Sequence, residues 1–299
     1  MAKKKEVLFD FPKPIDNDCL VGHKDTLKIF TDAWNGREKH PIHPVWMLCG
    51  PRGIGKATLA YHIAKMVYGN VGDFFIIDLE HNVDERGTIK ADAKAISVHT
   101  VRTMIERMQM SSMSGKWRVI LIDAIDELTV AAENAILKLL EEPPQQTLFL
   151  LVTHQLSNVL PTVRSRARVE KMHPLTISEL RELCTKFMPD TDVSSEILKL
   201  SNGSFGKIAN LKSSGGDVIY EELLEVLNNN HSNASDIMNI ATKIASSPAL
   251  YGIILDAIAA LGLADLYSMA TNTISDINRL NLKADITIFK IINEIKKCL

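Results

Sequence analysis

Val45-Trp-Met-Leu-Cys-Gly-Pro-Arg-Gly-Ile-Gly-Lys56, followed by Ala57, decides the fold of this chain. Its five leading apolar residues stop at a glycine, as a strand buried on both faces does. Gly50, Gly53 and Gly55 let the backbone curl so that N–H groups converge on an anion, and Lys56 adds a mobile positive charge. Residues 56–68 then place Leu59, Ile63 and Val67 on one side of a helix, whose amino end reinforces the same anion site. Strand, glycine loop and helix in that order make a phosphate loop.

Outward from this unit the first half alternates. Phe74–Leu79, Trp117–Ile122 (ending at Asp123) and Leu148–Thr153 read as strands. Between them, Val101, Ile105 and Met108 mark one helix, and Ala131–Glu142, stopped by Pro143-Pro144, marks another. Such alternation predicts an α/β domain with a doubly wound parallel sheet. Beyond about residue 172 only helical signals remain. Thr176 with Glu179 reads as a capped helix start, residues 194–200 as a short helix, and Ser213-Ser-Gly-Gly216 as a linker before a series of amphipathic helices. The boundaries expected are an α/β domain over 1–171, a small helical domain over 172–213 and a third, all-α domain over 217–299.

Composition narrows the function. The chain has 299 residues, 46% hydrophobic and 23% charged, which suits two or three folded domains and excludes a wholly disordered chain. With 34 basic and 36 acidic residues the net charge is −2, so any nucleic-acid contact must be local or shared with partners. Cys19, Cys49, Cys184 and Cys298 are too far apart to read as a disulfide framework or a zinc site, and a reducing, cytoplasmic compartment fits them. No apolar run follows Lys3-Lys-Lys5, and the apolar stretch from Gly252 to Ala264 is broken by Asp256, so no membrane segment is expected.

The phosphate loop departs from its usual chemistry at one position. The residue after the lysine normally supplies a hydroxyl to Mg²⁺, and here it is Ala57. Thr58 lies about 100° further round the helix, which turns its hydroxyl away. Asp123 ends an apolar strand and suits Mg²⁺-bound water, but the next position, where a catalytic Glu would orient water, is Ala124. Asp126 and Glu127 read as helix-start charges. Two groups needed for hydrolysis are therefore missing from one reaction. Further along, Arg164, Arg166 and Arg168 are either a solvated surface or the source of an arginine that reaches a neighbour's nucleotide. The helix start near Thr100 and Arg102 could meet a DNA phosphate.

Five stretches, in order, resemble the AAA+ clamp-loader family. They are Leu20-Val-Gly-His23, Gly50–Lys56, Asn134-Ala-Ile-Leu-Lys-Leu-Leu-Glu-Glu-Pro-Pro144, Leu160-Pro-Thr-Val-Arg-Ser-Arg166 and Gly203-Ser-Phe-Gly-Lys207. Ala57 and Ala124 select, within that family, the delta-prime subunits of bacterial DNA polymerase III over the ATP-hydrolysing ones. The resemblance implies a P-loop AAA+ domain with a RecA-like parallel sheet, a helical lid and an all-α collar that joins the subunits. It implies partnership with other clamp-loader subunits, the sliding clamp and primed DNA, within the DNA polymerase III holoenzyme. Arg166 falls on the family's trans arginine finger, with Ala167 in place of its cysteine. Thr153 falls on the sensor position and Lys207 where the second sensor usually has Arg. Gly50, Gly53, Gly55, Lys56, Thr58, Asp123, Thr153 and Lys207 would then line a degenerate nucleotide site, with no metal ligands and no cofactor required; ATP binding without cleavage stays open. The family's four-cysteine zinc module is missing, since no cysteine lies between Tyr68 and Arg118. Two alternatives remain: an active AAA+ ATPase using Thr58 and Asp126, and a P-loop kinase acting on a small molecule.

Overall fold

The alternation of apolar side chains along each strand splits the core in two. The computed structural model describes residues 12–69, 73–90, 93–109, 117–229 and 231–299, so Lys3–Lys5 lie outside the described residues. Five strands, β1 (Val45–Cys49), β2 (Asp73–Asp78), β3 (Arg118–Asp123), β4 (Thr147–Thr153) and β5 (Arg168–Lys171), form one parallel sheet in the order β2-β3-β4-β1-β5. Val45, Met47, Ile120, Ile122, Phe149 and Leu151 face one layer. Trp46, Leu48, Val119, Leu121, Leu148 and Leu150 face the other. Helices α1 (Lys24–Asn35) and α2 (Lys56–Tyr68) cover the second face with Phe30, Trp34, Leu59 and Ile63. Helices α3 (Val98–Gln109), α4 (Val130–Glu141) and the short α5 (Pro161–Arg164) cover the first with Val101, Met104, Ile136, Leu140 and Val163.

Strand register fixes the site. Cys49 pairs with Thr153, Asp123 with Val152, and Asp78 with Asp123. The carboxyl ends of β1, β4, β3 and β2 thus share one edge, where parallel α/β sheets bind ligands.

Among the elements without a signal in the sequence reading are β5 and α1. Strand β5 is Arg-Val-Glu-Lys, an edge strand with a single apolar residue, so the segment expected to leave the sheet after β4 returns to it beside β1. Helix α1 is amphipathic through Phe30 and Trp34 but lies outside the strand-and-helix alternation.

All remaining elements are helical: α6 (Ile177–Phe187), α7 (Ser195–Leu200), α8 (Phe205–Ser214), α9 (Gly216–Asn228), α10 (Ala234–Ala245), α11 (Gly252–Ala260), α12 (Ala264–Arg279) and α13 (Ala284–Cys298). The Thr176–Glu179 capping box is formed and starts α6. The chain divides into two compact units. Of the described residues, one takes 12–189 together with Gly203–Gly206; the other takes Asp190–Asn202 and Lys207–Leu299. Within the second, α10 buries Ile237, Ile240 and Ile244, and α13 buries Ile288, Ile291, Ile292 and Ile295. The expected linker at 213–216 is not one. Ser213 and Ser214 end α8, their hydroxyls donating to Ala209 O and Asn210 O at 2.8 Å, and Gly215 alone (φ +67°) turns the chain into α9. Serine back-bonding is compatible with helix, so a Ser-Ser-Gly-Gly string need not be flexible. Among the described residues no helix is long and apolar enough to cross a membrane.

Phe149 sits on the central strand β4 with no exposed surface. Phe149→Ala should cost about 3–5 kcal/mol through lost burial and the cavity left behind, read as a lower denaturant midpoint for the sheet unit.

Candidate functional site

The phosphate loop is held from outside by its carbonyls. Ser204 Oγ donates to Arg52 O at 2.9 Å, Gly206 N donates to Gly53 O at 3.1 Å, and His23 Nε2 donates to Ile54 O at 2.6 Å. Gly53 (φ +80°) and Gly55 (φ +99°) occupy left-handed backbone. A Cβ on Gly53 would also lie 2.3 Å from Ser204 Oγ, so both conformation and space require glycine there. Gly55 caps α2 and Gly50 ends β1. Thr58 is half-buried on the first turn of α2.

Lys56 is 3% exposed and folds back on the loop, Nζ donating to Pro51 O at 2.5 Å. Burial pushes its pKa down to about 8, against the pull of the Asp123 and Asp126 carboxylates. Burial pushes Asp123 up to about 6; Asp78, opposite it in register, adds to the rise and Lys56 opposes it. A cavity of about 490 Å³ opens here, lined by Lys13, Tyr61, Asp78, Asp123, Glu127 and His154. His154 is pushed down to about 4, first by burial and then by Lys56 and Arg52. Thr153 is fully buried, and its Oγ1 has no hydrogen-bond partner among the described residues. Arg52, on the loop, pairs with Glu127.

The acids after Asp123 lie in a 3-10 turn, Ile125–Glu127, and Asp126 has a further role there. Both oxygens of Asp126 accept backbone N–H groups: Oδ1 from His154 at 3.1 Å, Oδ2 from Gln155 at 3.1 Å. Asp126 therefore ties the end of β4 to the chain after β3. Glu133, 3% exposed on α4, accepts from Leu160 N at 2.9 Å, and its carboxyl is raised by burial. Glu141, closing α4, pairs with Arg166 Nη2. The other terminal nitrogen, Nη1, donates to Thr162 O at 2.7 Å and Ser165 Oγ at 3.3 Å. Arg168 differs from Arg166. It lies over the Trp46 ring at 4.3 Å and donates to Glu170 at 2.7 Å, a structural setting.

The sequence reading missed these carboxylate ties. Glu133 alone had a visible signal, an acid in step with Ile136 and Leu140 on the apolar face of a helix. Of the pair suggested to meet a phosphate, Thr100 is buried, its Oγ1 donating to Asn82 Oδ1 at 2.8 Å, whereas Arg102 is exposed on α3, which begins at Val98. Met104 and Met108 are core residues, while Met110 and Met113 lie outside the described residues. Lys207 belongs to the second unit, where its Nζ donates to Asp256 of α11 at 2.6 Å.

These donors do not fit a hydrolytic Mg²⁺ centre. Position 57 offers no oxygen, position 124 no carboxylate, and Asp126 is occupied by backbone N–H groups. The glycine loop and Lys56 retain the means to hold an anion.

A five-stranded parallel sheet with a glycine loop after its interior strand is the P-loop fold that AAA+ proteins share. Residues 23–176, just over half of the chain, match the family described as DNA polymerase III, delta subunit, and the chain belongs to that family. It is 31% identical over 193 residues to the DNA polymerase III subunit delta' of Pseudomonas aeruginosa, covering 56% of this chain and 55% of that one. It is 29% identical over 206 residues to the DNA polymerase III subunit gamma of Buchnera aphidicola subsp. Schizaphis graminum, covering 64% of this chain and 56% of that one. The chain thus spans little more than half the length of these relatives. A solved gamma subunit-related protein of Thermotoga maritima superposes with a TM-score of 0.51 at 14% identity, covering 92% of this chain and 98% of that one, a likeness of fold alone.

The two large shifts at the cavity oppose each other. Between 3.8 and about 6 the unfolded chain has released the Asp123 proton and the folded chain keeps it, so stability falls as pH rises through that window. His154, lowered from 6.5 to about 4, makes stability rise with pH over the same range. Asp123→Asn removes only the first effect. The variant should gain stability over the wild type at pH 7 and none near pH 4, read from denaturant midpoints at the two values.

Proposed function

We propose that this chain is a delta-prime-like subunit of the DNA polymerase III clamp loader, one that helps load the sliding clamp onto primed DNA without hydrolysing ATP. It works with other loader subunits in the cytoplasm, and it lends Arg166 to the ATP site of a neighbour. Residues 1–171 serve as the AAA+ domain, 172–213 as the lid and 217–299 as the collar through which the subunits assemble. Thr153 and Lys207 each fall on a sensor position of the family, and the nucleotide loop has kept its anion cradle and lost its hydrolytic groups.

One observation carries this reading. The loop, its lysine and the strand-end Asp123 are present, yet Ala57 and Ala124 stand where hydrolysis needs oxygens, and Asp126 is bonded elsewhere. A fold that retains the site's shape while lacking its chemistry suits a subunit acting on another's nucleotide. Arg166 supports the same role. Its guanidinium is about a third exposed and held by surface groups, and Arg168 beside it is fixed on Trp46. The kinase alternative finds no support in the helical C-terminal unit.

The purified chain should show no ATP turnover, since loss of water positioning and of metal ligation each cost orders of magnitude. Turnover abolished by Lys56→Ala would replace this reading with the active ATPase. In a reconstituted loader, Arg166→Ala should slow the site it serves by about 10³-fold or more, lowering the total DNA-stimulated ATPase by that site's share. Arg166→Lys should do nearly the same damage, because lysine has no fork. Subunit assembly, followed by size exclusion, should not change.

A further inference from the structure

We propose that Glu141 is a built-in competitor for Arg166: it parks the guanidinium along α4, and a neighbour's triphosphate must displace it before the finger can act. This rests on the trans role of Arg166 given above, and it adds a regulation of that finger.

The geometry shows the competition. An arginine grips phosphate oxygens through its terminal N–H groups, two at a time. Both terminal nitrogens of Arg166 are engaged within the chain, Nη2 by Glu141 and Nη1 by Thr162 O and Ser165 Oγ. A phosphate arriving here meets a guanidinium whose charge and terminal donors are already shared with Glu141, Thr162 and Ser165.

The contact is of a kind that can be exchanged. Arg166 is 31% and Glu141 47% exposed, and they lie beside an open groove of about 500 Å³ lined by His43, Pro44, Leu140 and Pro143. Part-exposed ion pairs are weak and screened by water. A triphosphate carries several negative charges against the single one of Glu141, so it outcompetes the carboxylate once within reach. Arg168, by contrast, is held over Trp46 as well as by Glu170.

The position of Glu141 supports the same conclusion independently. Glu141 and Glu142 close α4 just before Pro143-Pro144, at the negative end of the helix dipole, where acids are disfavoured. A guanidinium beside Glu141 offsets that cost. The other end of the finger segment is fixed to the same helix, because Glu133 accepts from Leu160 N. Helix α4 therefore carries both the anchor of the segment and the resting place of its arginine.

The test uses the reconstituted loader with Glu141→Gln, Glu141→Asp, Arg166→Ala and the double variant Glu141→Gln/Arg166→Ala. Gln removes the competing charge, and Asp withdraws it by one methylene. Each should lower the apparent KM for ATP by about two- to five-fold, the range of a part-exposed ion pair, with kcat at saturating clamp and DNA unchanged. The double variant should match Arg166→Ala alone. An unchanged KM in both Glu141 variants, with Arg166→Ala still slowing the assembly, would overturn the competition and leave the finger standing. A fall in kcat resembling that of Arg166→Ala would also overturn it, since Glu141 would then be aiming the finger. If Arg166→Ala itself has no effect, the trans finger fails and this proposal with it.

Discussion

Three successive carbonyls of the phosphate loop, those of Arg52, Gly53 and Ile54, are each held by a donor from a distant part of the chain. A loop with two left-handed glycines cannot satisfy its own backbone, and buried carbonyls need partners. Ser204, Gly206 and His23 supply them. In a trans peptide the C=O and the following N–H point in opposite directions. Drawing three carbonyls outward therefore turns the next three N–H groups inward, toward the anion side. The cradle is thus a consequence of how the first and last motifs of the sheet unit close on it, and it does not depend on the residues that would cleave a nucleotide.

That separation explains how the chain can carry Ala57 and Ala124 and keep the fold. Neither position contributes a bond to the loop. The electrostatic balance at the sheet edge is kept by other groups: Asp78 and Asp123 lie side by side, and buried Lys56 is the counter-charge that opposes the rise of Asp123. Lys56 itself rests on Pro51 O, so the lysine that elsewhere meets a phosphate here also closes the loop.

Periodicity made most of the sheet legible. The apolar runs at 45–49, 118–123 and 147–153 are buried on both faces, and continuous hydrophobicity marks such strands. Strand β5 was not legible, because an edge strand can be polar and still pair. The Ser-Ser-Gly-Gly stretch misled because serine and glycine are read as linker by composition, whereas hydroxyl back-bonds and one left-handed residue make it two helix ends. At the site, the motifs containing His23 and Gly203–Lys207 could be matched as strings, but their physical role, holding carbonyls more than thirty or a hundred residues away, has no local signal. The same holds for Asp126, whose neighbours in sequence suggest a helix start and whose partners lie at the end of another strand.

The carboxylates along α4 and its approach connect these levels. Asp126 holds the chain at the end of β4, Glu133 holds Leu160 N at the start of α5 and Glu141 meets Arg166. Glu133 and Glu141 stand eight residues apart on α4, about 12 Å at 1.5 Å each, a spacing that a mobile loop could not keep constant. A helix can, because its backbone bonds are internal. The carboxylate that anchors Leu160 and the one that meets Arg166 are therefore mounted on one rigid element. An arginine carried on a free loop would have to be ordered anew at each encounter, at the entropic cost of fixing its backbone and its rotamers. Here most of that ordering is done by the fold, which holds Leu160 N on Glu133 and the Arg166 guanidinium on Glu141, Thr162 and Ser165.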